Sequence, residues 1–289
     1  MISGSGPSDR DETFMGHKPF AVIADHLTRQ GIAVLRYDDR GVAESNGDHN
    51  VATSLDFSSD ANAAFKFLSH RKEINGKSIG MIGHSEGGLI APLAFDTNKQ
   101  IAFIIMLAGP GINTVDLMSA QQKAMALLQG IPEEKLKKIQ NISRLIMEKV
   151  KASKSTESAI EAVSKILSPR NLAILGTEEN QKNDIIRSYT KPWYRYFMTY
   201  DPANYFTDKA LPILALNGEL DVQVTAKENL AGLRVILKDH NDATVKLLPG
   251  LNHMFQTAET GSINEYRQIE QTISPEVLSI VSTWIKARF

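Results

Sequence analysis

The segment Ser78-Ile-Gly-Met-Ile-Gly-His-Ser-Glu-Gly-Gly88 gives the clearest indication of the fold of this 289-residue chain. Its first half is an apolar run typical of a buried strand, and the small residues from Glu86 onward predict a closely packed helix. Between them lies a Gly-x-Ser-x-Gly pattern that begins at Gly83. Between a strand and a helix, this pattern places the serine on a sharp turn with its hydroxyl exposed above the sheet. The free N–H groups of the helix N-terminus then lie beside Ser85.

Strands and helices alternate outward from this turn. The other apolar strand candidates are Ile32–Tyr37, Ile101–Ala108, Leu211–Leu216 and Thr244–Leu248. The helical candidates are Pro19–Gln30, Leu55–Leu68, Thr225–Lys238 and Pro275–Arg288. This alternation predicts an α/β protein with a mostly parallel sheet that is covered by helices on both faces. Because Met1-Ile2 resembles the last step of a strand, we expect N-terminal strands to be missing from this sequence.

The alternation stops between residues 111 and 205. This stretch has no convincing strand, and its helical periods cover Leu117–Leu128, Lys135–Val150 and Ala159–Leu167. We therefore expect a core of residues 1–110 and 206–289, with residues 111–205 as a helical cap insertion. Such an insertion would lie over the carboxyl ends of the strands, where ligands bind in open α/β sheets. Its 14 Lys or Arg against 10 Asp or Glu are typical of a solvated helical surface, with a weak attraction for anionic substrates as the alternative.

The composition excludes several classes of protein. With 32 basic and 33 acidic residues the net charge is −1, so no nucleic acid is expected as a partner. The absence of Cys excludes disulfides, thiolate metal sites and cysteine nucleophiles. No run approaches the roughly 18 to 20 apolar residues of a membrane span, and no signal peptide is visible. The sequence reads as cytoplasmic, with a periplasmic or secreted location open if an N-terminal signal has been lost.

A serine hydroxyl becomes a useful nucleophile only when a base takes its proton and a carboxylate orients that base. After a Gly-x-Ser-x-Gly turn, the expected order along the chain is serine, acid, histidine, each on a loop after a strand. Asp221 follows the strand candidate Leu211–Leu216, and His253 follows Thr244–Leu248, so both lie in this order. We therefore predict Ser85, Asp221 and His253 as catalytic residues. Glu219, two positions earlier in the same loop, is the rival to Asp221.

The remaining histidines are weaker candidates for the base. His84 is next to the nucleophile and is expected to point elsewhere, and His240 lies in a polar turn. The others precede Ser85 in the chain: His17, His26, His49 and His70.

An oxyanion hole needs two backbone N–H donors. The N–H of Glu86, directly after the nucleophile, is the first predicted donor. The glycine-rich loop Ser3-Gly-Ser-Gly-Pro7 supplies the second, which we assign to the N–H of Ser5, unless this segment is a mobile tail. An aromatic cluster at the end of the insertion offers candidate substrate-binding residues, and packing between the insertion and the sheet is the alternative for them: Trp193, Tyr194 and Phe197.

Together these residues resemble the α/β-hydrolase superfamily, and within it the bacterial esterases grouped with serine aminopeptidase-like hydrolases. The segments that carry the resemblance are Ser3–Glu12, Arg36–Gly41, Gly83–Gly88 and Leu216–Val224. The resemblance covers nearly the whole chain outside the insertion. One departure is Gly41-Val-Ala-Glu-Ser45, where the family often has G-x-G-x-S; it changes a tight turn but not the predicted catalytic residues.

The resemblance implies a Ser-His-Asp hydrolase that acts on carboxylic esters. We expect it to cleave esters of small or medium acyl groups through an acyl-enzyme. The resemblance further implies a small-molecule ester as substrate and no metal or cofactor. Acyl thioester hydrolysis and an aminopeptidase-like amidase activity remain open, and a non-catalytic binding protein on the same fold is the third alternative.

Overall fold

The computed structural model describes all residues from 1 to 289. Its central sheet has four parallel strands in the spatial order in which they occur along the chain: β1 (Met81–His84), β2 (Ile104–Leu107), β3 (Ile213–Gly218) and β4 (Ala243–Leu248). Every residue of the first three strands is buried. Because strand side chains alternate between the two faces, a strand buried throughout must be covered on both sides. The predicted α/β class is therefore confirmed.

Five helices cover the sheet: α1 (Pro19–Arg29), α2 (Ser54–Ser69), α3 (Gly87–Thr97), α10 (Ala226–Ile236) and α11 (Pro275–Lys286). Alternate residues of β2 join opposite cores, since Ile104 packs with α2, α3 and α10, whereas Ile105 packs with α1 and α11. This period of two is the pattern of a strand between two helical layers. Both cores contribute to the stability of the sheet that carries the turn Gly83–Gly87, which is called the nucleophile turn below after the role predicted for Ser85.

Six helices separate β2 from β3: α4 (Thr114–Leu128), α5 (Glu133–Ala152), α6 (Thr156–Ile166), α7 (Pro169–Leu175), α8 (Lys182–Thr190) and α9 (Pro192–Phe197). The three helical periods read from the sequence correspond to α4, α5 and α6. The apolar faces of these helices, with Ile146 and Val163 fully buried, pack into the same core as α2 and α3. No helix of the molecule is both long enough and apolar enough to span a bilayer.

The predicted strand Ile32–Tyr37 was wrong, because these residues form no strand. A cavity of about 530 Å³ lies beside them, and its lining includes Val34 and Leu35 of this segment, Met81 of β1, and Met1 and Ile2. A strand requires hydrogen bonds to a neighbour, and here only the Met1 amine reaches across, to the Leu35 carbonyl oxygen at 2.8 Å. The apolar pattern was real, but the pairing that would make it a strand is absent.

Two glycines allow the strand, the turn and the helix to approach each other closely. A Cβ added to Gly83 would lie 2.0 Å from the carbonyl oxygen of Gly87, and one added to Gly87 would lie 2.2 Å from that of Ile2. Both contacts are with backbone, so no side-chain rotation can relieve them. The Gly-x-Ser-x-Gly pattern is thus required by packing at both of its glycines.

Replacing Gly83 by alanine is therefore expected to lower the free energy of unfolding by at least the roughly 1–3 kcal/mol of ordinary overpacking. Urea denaturation measures this loss. The matched control is Gly76→Ala, because a Cβ there would meet no atom within 4 Å. The control should change stability by no more than about 0.5 kcal/mol. Equal effects of the two substitutions would contradict the packing explanation.

Candidate active site

Ser85 lies on the turn between β1 and α3. Its φ of +52° is in the left-handed region, which is uncommon for a residue other than glycine. The turn is held by the N–H of Ser85, which donates to the Leu107 carbonyl oxygen of β2 at 2.8 Å. Ser85 is only half-buried, whereas its neighbours in the turn are buried. Such a strained backbone held by its surroundings is typical of a functional residue.

A histidine and a carboxylate from the two loops predicted for them are in contact. His253 Nδ1 lies 2.7 Å from Asp221 Oδ2, and their side chains are 4% and 0% exposed. The other carboxylate oxygen accepts the N–H groups of Gln223 and Val224, both at 2.8 Å. His253 Nε2 makes no hydrogen bond within the chain. The rival Glu219 is exposed and accepts the N–H of Gly250 instead.

His253 packs against the nucleophile turn through the residue that precedes Ser85. The rings of His84 and His253 have centroids 4.8 Å apart, and His84 Nε2 lies 3.0 Å from the His253 carbonyl oxygen. No hydrogen bond joins Ser85 to His253 in this structure. Catalytic hydrogen bonds are often long without substrate and shorten when it binds. The arrangement therefore brings a hydroxyl, an imidazole and a carboxylate from three loops to one end of the sheet.

The N-terminal loop lies against the nucleophile turn. A Cβ added to Gly4 would be 3.1 Å from Ser85 Cβ. The loop is held to the core where Asp39 accepts the Ser3 hydroxyl at 2.9 Å and the Ser8 N–H at 3.0 Å. The backbone N–H groups of Ser5 and Glu86 have no acceptor within the chain. Two free donors thus lie in the segments that flank Ser85.

The Glu86 carboxylate joins three parts of the molecule. It is buried and accepts hydrogen bonds from Ser5 Oγ at 2.7 Å, Ser54 Oγ at 2.6 Å and Trp193 Nε1 at 2.8 Å. Burial raises the pKa of Glu86 above its ordinary value, and these three hydrogen bonds oppose that shift. Sequence reasoning assigned a role only to the N–H of Glu86. The available signal was a charged residue within an otherwise apolar, small-residue segment.

The aromatic residues at the end of the insertion pack on each other and on this carboxylate. Trp193 stacks on Phe197 with centroids 5.0 Å apart and meets Tyr194 edge-on at 6.0 Å. Tyr194 and Phe197 are buried, while Trp193 is half-buried with the Lys191 ammonium 4.9 Å above its ring. Tyr194 also lines a cavity of about 310 Å³ inside the insertion. Trp193 is the residue of this cluster that contacts the nucleophile turn.

Further ion pairs lie in the surroundings and make no contact with Ser85, Asp221 or His253. Arg10 pairs with Asp38 and, through this hydrogen bond above all, holds the pKa of Asp38 well below its usual range. Arg40 pairs with Asp60 at 2.7 Å. Nowhere do three histidine or acidic side chains converge in a way that could hold a metal ion.

Comparison with known proteins gives a family match over most of the chain. Residues 17–260 match the family model described as "Serine aminopeptidase, S33". The chain is also similar to Esterase EstD of Thermotoga maritima, with 23% identity over 285 residues. That alignment covers 99% of this chain but only 61% of the relative, so the chain spans about three-fifths of its length.

Solved structures show the same fold at low identity. Hypothetical protein PA2218 from Pseudomonas aeruginosa superposes with a TM-score of 0.58 at 16% identity, covering 100% of this chain and 83% of that one. Pyrococcus furiosus esterase PF2001 has a TM-score of 0.57 at 16% identity, covering 99% and 80%. The α/β hydrolase GrgF from Penicillium has a TM-score of 0.55 at 16% identity, covering 99% and 88%. The family match shows that the chain belongs to the serine aminopeptidase S33 family, and these solved structures share its α/β-hydrolase fold.

Proposed function

We propose that this hydrolase cleaves carboxylic esters of small or medium acyl groups, with Ser85 as nucleophile, His253 as base and Asp221 as the orienting acid. One observation carries the proposal. His253 is held by Asp221 at 2.7 Å, packs against the residue before Ser85 and keeps its Nε2 free. The names of the similar proteins from Thermotoga maritima and Pyrococcus furiosus support an ester as the substrate.

In the first half of the reaction Ser85 Oγ attacks the ester carbonyl carbon while His253 Nε2 takes the hydroxyl proton. The Asp221 carboxylate accepts the Nδ1–H of His253, which selects the tautomer with a free Nε2 and stabilises the imidazolium that forms. The N–H groups of Ser5 and Glu86 donate to the oxyanion, and the N-terminus of α3 adds the positive end of its dipole. The imidazolium then protonates the departing alcohol and leaves an acyl group on Ser85.

In the second half, water attacks the acyl-enzyme. His253 Nε2 takes a proton from that water and returns it to Ser85 Oγ, which releases the carboxylic acid. No electron transfer is involved, so these residues complete the cycle without a redox partner. The same two N–H donors act in both halves because the oxyanion forms at the same position.

Residues 111–205 form the proposed cap over this site, with Trp193, Tyr194 and Phe197 at its boundary with the core. Trp193 is the residue that links them to the nucleophile turn, through Glu86. We propose that these aromatic residues limit the size of the acyl group. The stacking of Trp193 on Phe197 and the burial of Tyr194 and Phe197 hold these rings in place, which suits small or medium acyl groups better than long ones.

A substrate panel tests the proposed reaction. p-Nitrophenyl esters from acetyl to decanoyl are compared with the thioester and the amide of one shared acyl group, by kcat/KM. Esters with acyl groups in the lower half of this range should be cleaved fastest. A higher kcat/KM for the amide or the thioester would instead favour an aminopeptidase-like or thioesterase activity. No turnover together with no fluorophosphonate labelling of Ser85 would favour a binding protein.

Removing the hydrogen bond between the insertion and the nucleophile turn should weaken catalysis. Trp193→Phe retains an aromatic ring but leaves Glu86 with one donor fewer, at a cost of about 1.5–3 kcal/mol for a hydrogen bond to a charged group. If that energy holds Glu86 in its active position, kcat/KM for the preferred ester falls on the order of tenfold or more. Steady-state kinetics measures the fall.

The matched control is Trp284→Phe, because the Trp284 indole nitrogen is buried without a hydrogen-bond partner. This control removes core volume but no hydrogen bond, so the folded fraction should keep its activity. A fall of the same size in both variants would show that general destabilisation, not the contact with Glu86, is responsible.

A further inference from the structure

A second histidine–carboxylate pair is buried beside the proposed triad. His84 Nδ1 lies 3.0 Å from Glu12 Oε1, and each side chain is 8% exposed. The other ring nitrogen of His84, Nε2, lies 3.0 Å from the backbone oxygen of His253. The mechanism above uses neither side chain.

The partners of His84 determine how many protons the pair must hold. The His253 carbonyl oxygen can only accept a hydrogen bond, and so can an ionised Glu12 carboxylate. A neutral imidazole has a single N–H, so one of its nitrogens would turn a lone pair toward an acceptor. Both contacts are favourable only when the pair carries one proton more than a neutral histidine and a carboxylate.

Glu12 Oε2 is buried without a hydrogen-bond partner, which disfavours an ionised carboxylate, but the other contacts favour placing that proton on the ring. Glu12 has no Lys or Arg partner, so His84 is the only cation that can compensate its buried charge. Glu12 Oε1 also accepts the N–H of Gly4 at 2.7 Å, a hydrogen bond that is stronger to an ionised carboxylate. Burial lowers the pKa of His84, but the facing Glu12 carboxylate outweighs this and the net shift is upward, with Asp221 contributing from behind His253. Burial above all, with a contribution from the nearby Glu12 carboxylate, raises the pKa of Asp39 to about 6.

Each member of the pair holds one of the loops that surround Ser85. Glu12 binds the N–H of Gly4, which precedes the proposed oxyanion donor Ser5. His84 binds the backbone of His253 and directly precedes the nucleophile. Glu12 itself has a φ of +51°, a strained conformation that the surrounding structure maintains. The pair thus connects the oxyanion loop (Ser3–Pro7), the nucleophile turn and the loop that carries His253.

We propose that Glu12 and His84 are positioning residues, a charged pair that holds the oxyanion loop and the His253 loop in their working geometry around Ser85. This inference rests on the function proposed above. If the pair loses its extra proton, only one His84 nitrogen donates, and the His253 carbonyl oxygen is left without its donor. If Glu12 loses its charge, its hydrogen bond with the Gly4 N–H becomes weaker. The chemical step then slows, because displacements of about 1 Å at reacting groups can cost about 10²-fold in rate. Substrate affinity is little changed, since neither side chain reaches the substrate.

The protonation state is tested by NMR on the whole protein labelled with ¹⁵N-histidine, which requires no activity. The pH is set about 1.5 units above the ordinary histidine pKa of about 6.5. Both ring nitrogens of His84, assigned from their absence in His84→Gln, should still carry protons there. In Glu12→Gln only one should. A singly protonated His84 ring in the wild-type protein at that pH would overturn the charged pair, whatever the enzyme's substrate proves to be.

The positioning role is tested by kinetics of Glu12→Gln, which keeps the shape and the acceptor for Gly4 but removes the charge. We expect kcat to fall on the order of 10- to 100-fold with KM little changed. The rate of fluorophosphonate labelling of Ser85 should fall in parallel. Because the Glu12 charge raises the pKa of His84, its removal should let the His84 ring lose its proton at a lower pH. The alkaline limb of the kcat profile should therefore also move to lower pH. The control is His70→Gln, which removes an exposed histidine at the end of α2 and should leave the profile unchanged.

An unchanged kcat and pH profile in Glu12→Gln would overturn the positioning role. If that variant does not fold, the wild-type enzyme decides: kcat should fall over the same pH interval in which NMR shows His84 losing its proton. A wild-type enzyme that labels with fluorophosphonate but cleaves no ester would reject the proposed substrate. The positioning role of the pair would then be tested by comparing the rate of fluorophosphonate labelling of Ser85 in the wild type and in Glu12→Gln.

Discussion

Ser85→Ala is expected to lose at least about 10⁴-fold in kcat for p-nitrophenyl esters, because no other hydroxyl can form the acyl-enzyme at the turn. Release of p-nitrophenol measures the loss, and the variant should no longer react with a fluorophosphonate probe. Folding should be retained, since alanine tolerates the φ of +52° at this position about as well as serine does.

Ser69→Ala, an exposed serine at the end of α2, serves as the control for the removal of a hydroxyl and should keep full activity. Near-normal turnover by Ser85→Ala, or continued labelling of the protein, would reject Ser85 as the nucleophile. Such a result would also remove the basis for the roles given to Ser5 and Glu86.

The second large effect is expected for Asp221→Asn, on the order of 10³- to 10⁴-fold in kcat. An amide in place of the carboxylate presents its NH₂ to His253 Nδ1 and favours the tautomer whose Nε2 already carries a proton. That tautomer cannot take the proton of Ser85. The N–H groups of Gln223 and Val224, both 2.8 Å from Asp221 Oδ1, hold the side chain in place, so its Oδ2 position alone faces His253.

Glu219→Gln is the matched control, because it makes the same chemical change two residues earlier in the same loop. Its carboxylate lies at the surface with the N–H of Gly250, so activity should be retained. Equal losses in the two variants, or a larger loss for Glu219→Gln, would show that Asp221 is not the orienting acid.

The location of the Ser85 turn, the α/β class and the family could all be predicted from the sequence, because each depends on local pattern. An apolar run, two glycines around a serine and a small-residue helix are features of neighbouring residues. The loops after parallel strands meet at one end of the sheet, so residues on three such loops could be expected to come together. Their order along the chain, serine, acid, histidine, is the one that accompanies a Gly-x-Ser-x-Gly turn. The same reasoning distinguished the loops that carry Asp221 and His253 from the rest of the chain.

Contacts between distant segments could not be predicted in this way. The partner of His84 is Glu12, 72 positions away, and the partner of Glu86 in the insertion is Trp193, 107 positions away. Both residues lie in segments that the sequence analysis singled out, but nothing in those segments indicates which distant side chain each of them contacts. Residues Ile32–Tyr37 show the opposite failure, since a correct apolar pattern did not lead to a strand because the neighbouring position is a cavity.

The candidates for nucleophile, base and acid could be chosen from the amino acids alone, because chemical identity and local backbone preference are properties of short segments. Three-dimensional packing was needed to show which carboxylates and rings meet, which N–H groups stay free and which histidine is flanked by acceptors on both sides. These depend on how loops far apart in the chain pack together, and the free energy of that packing is not encoded in any one of them.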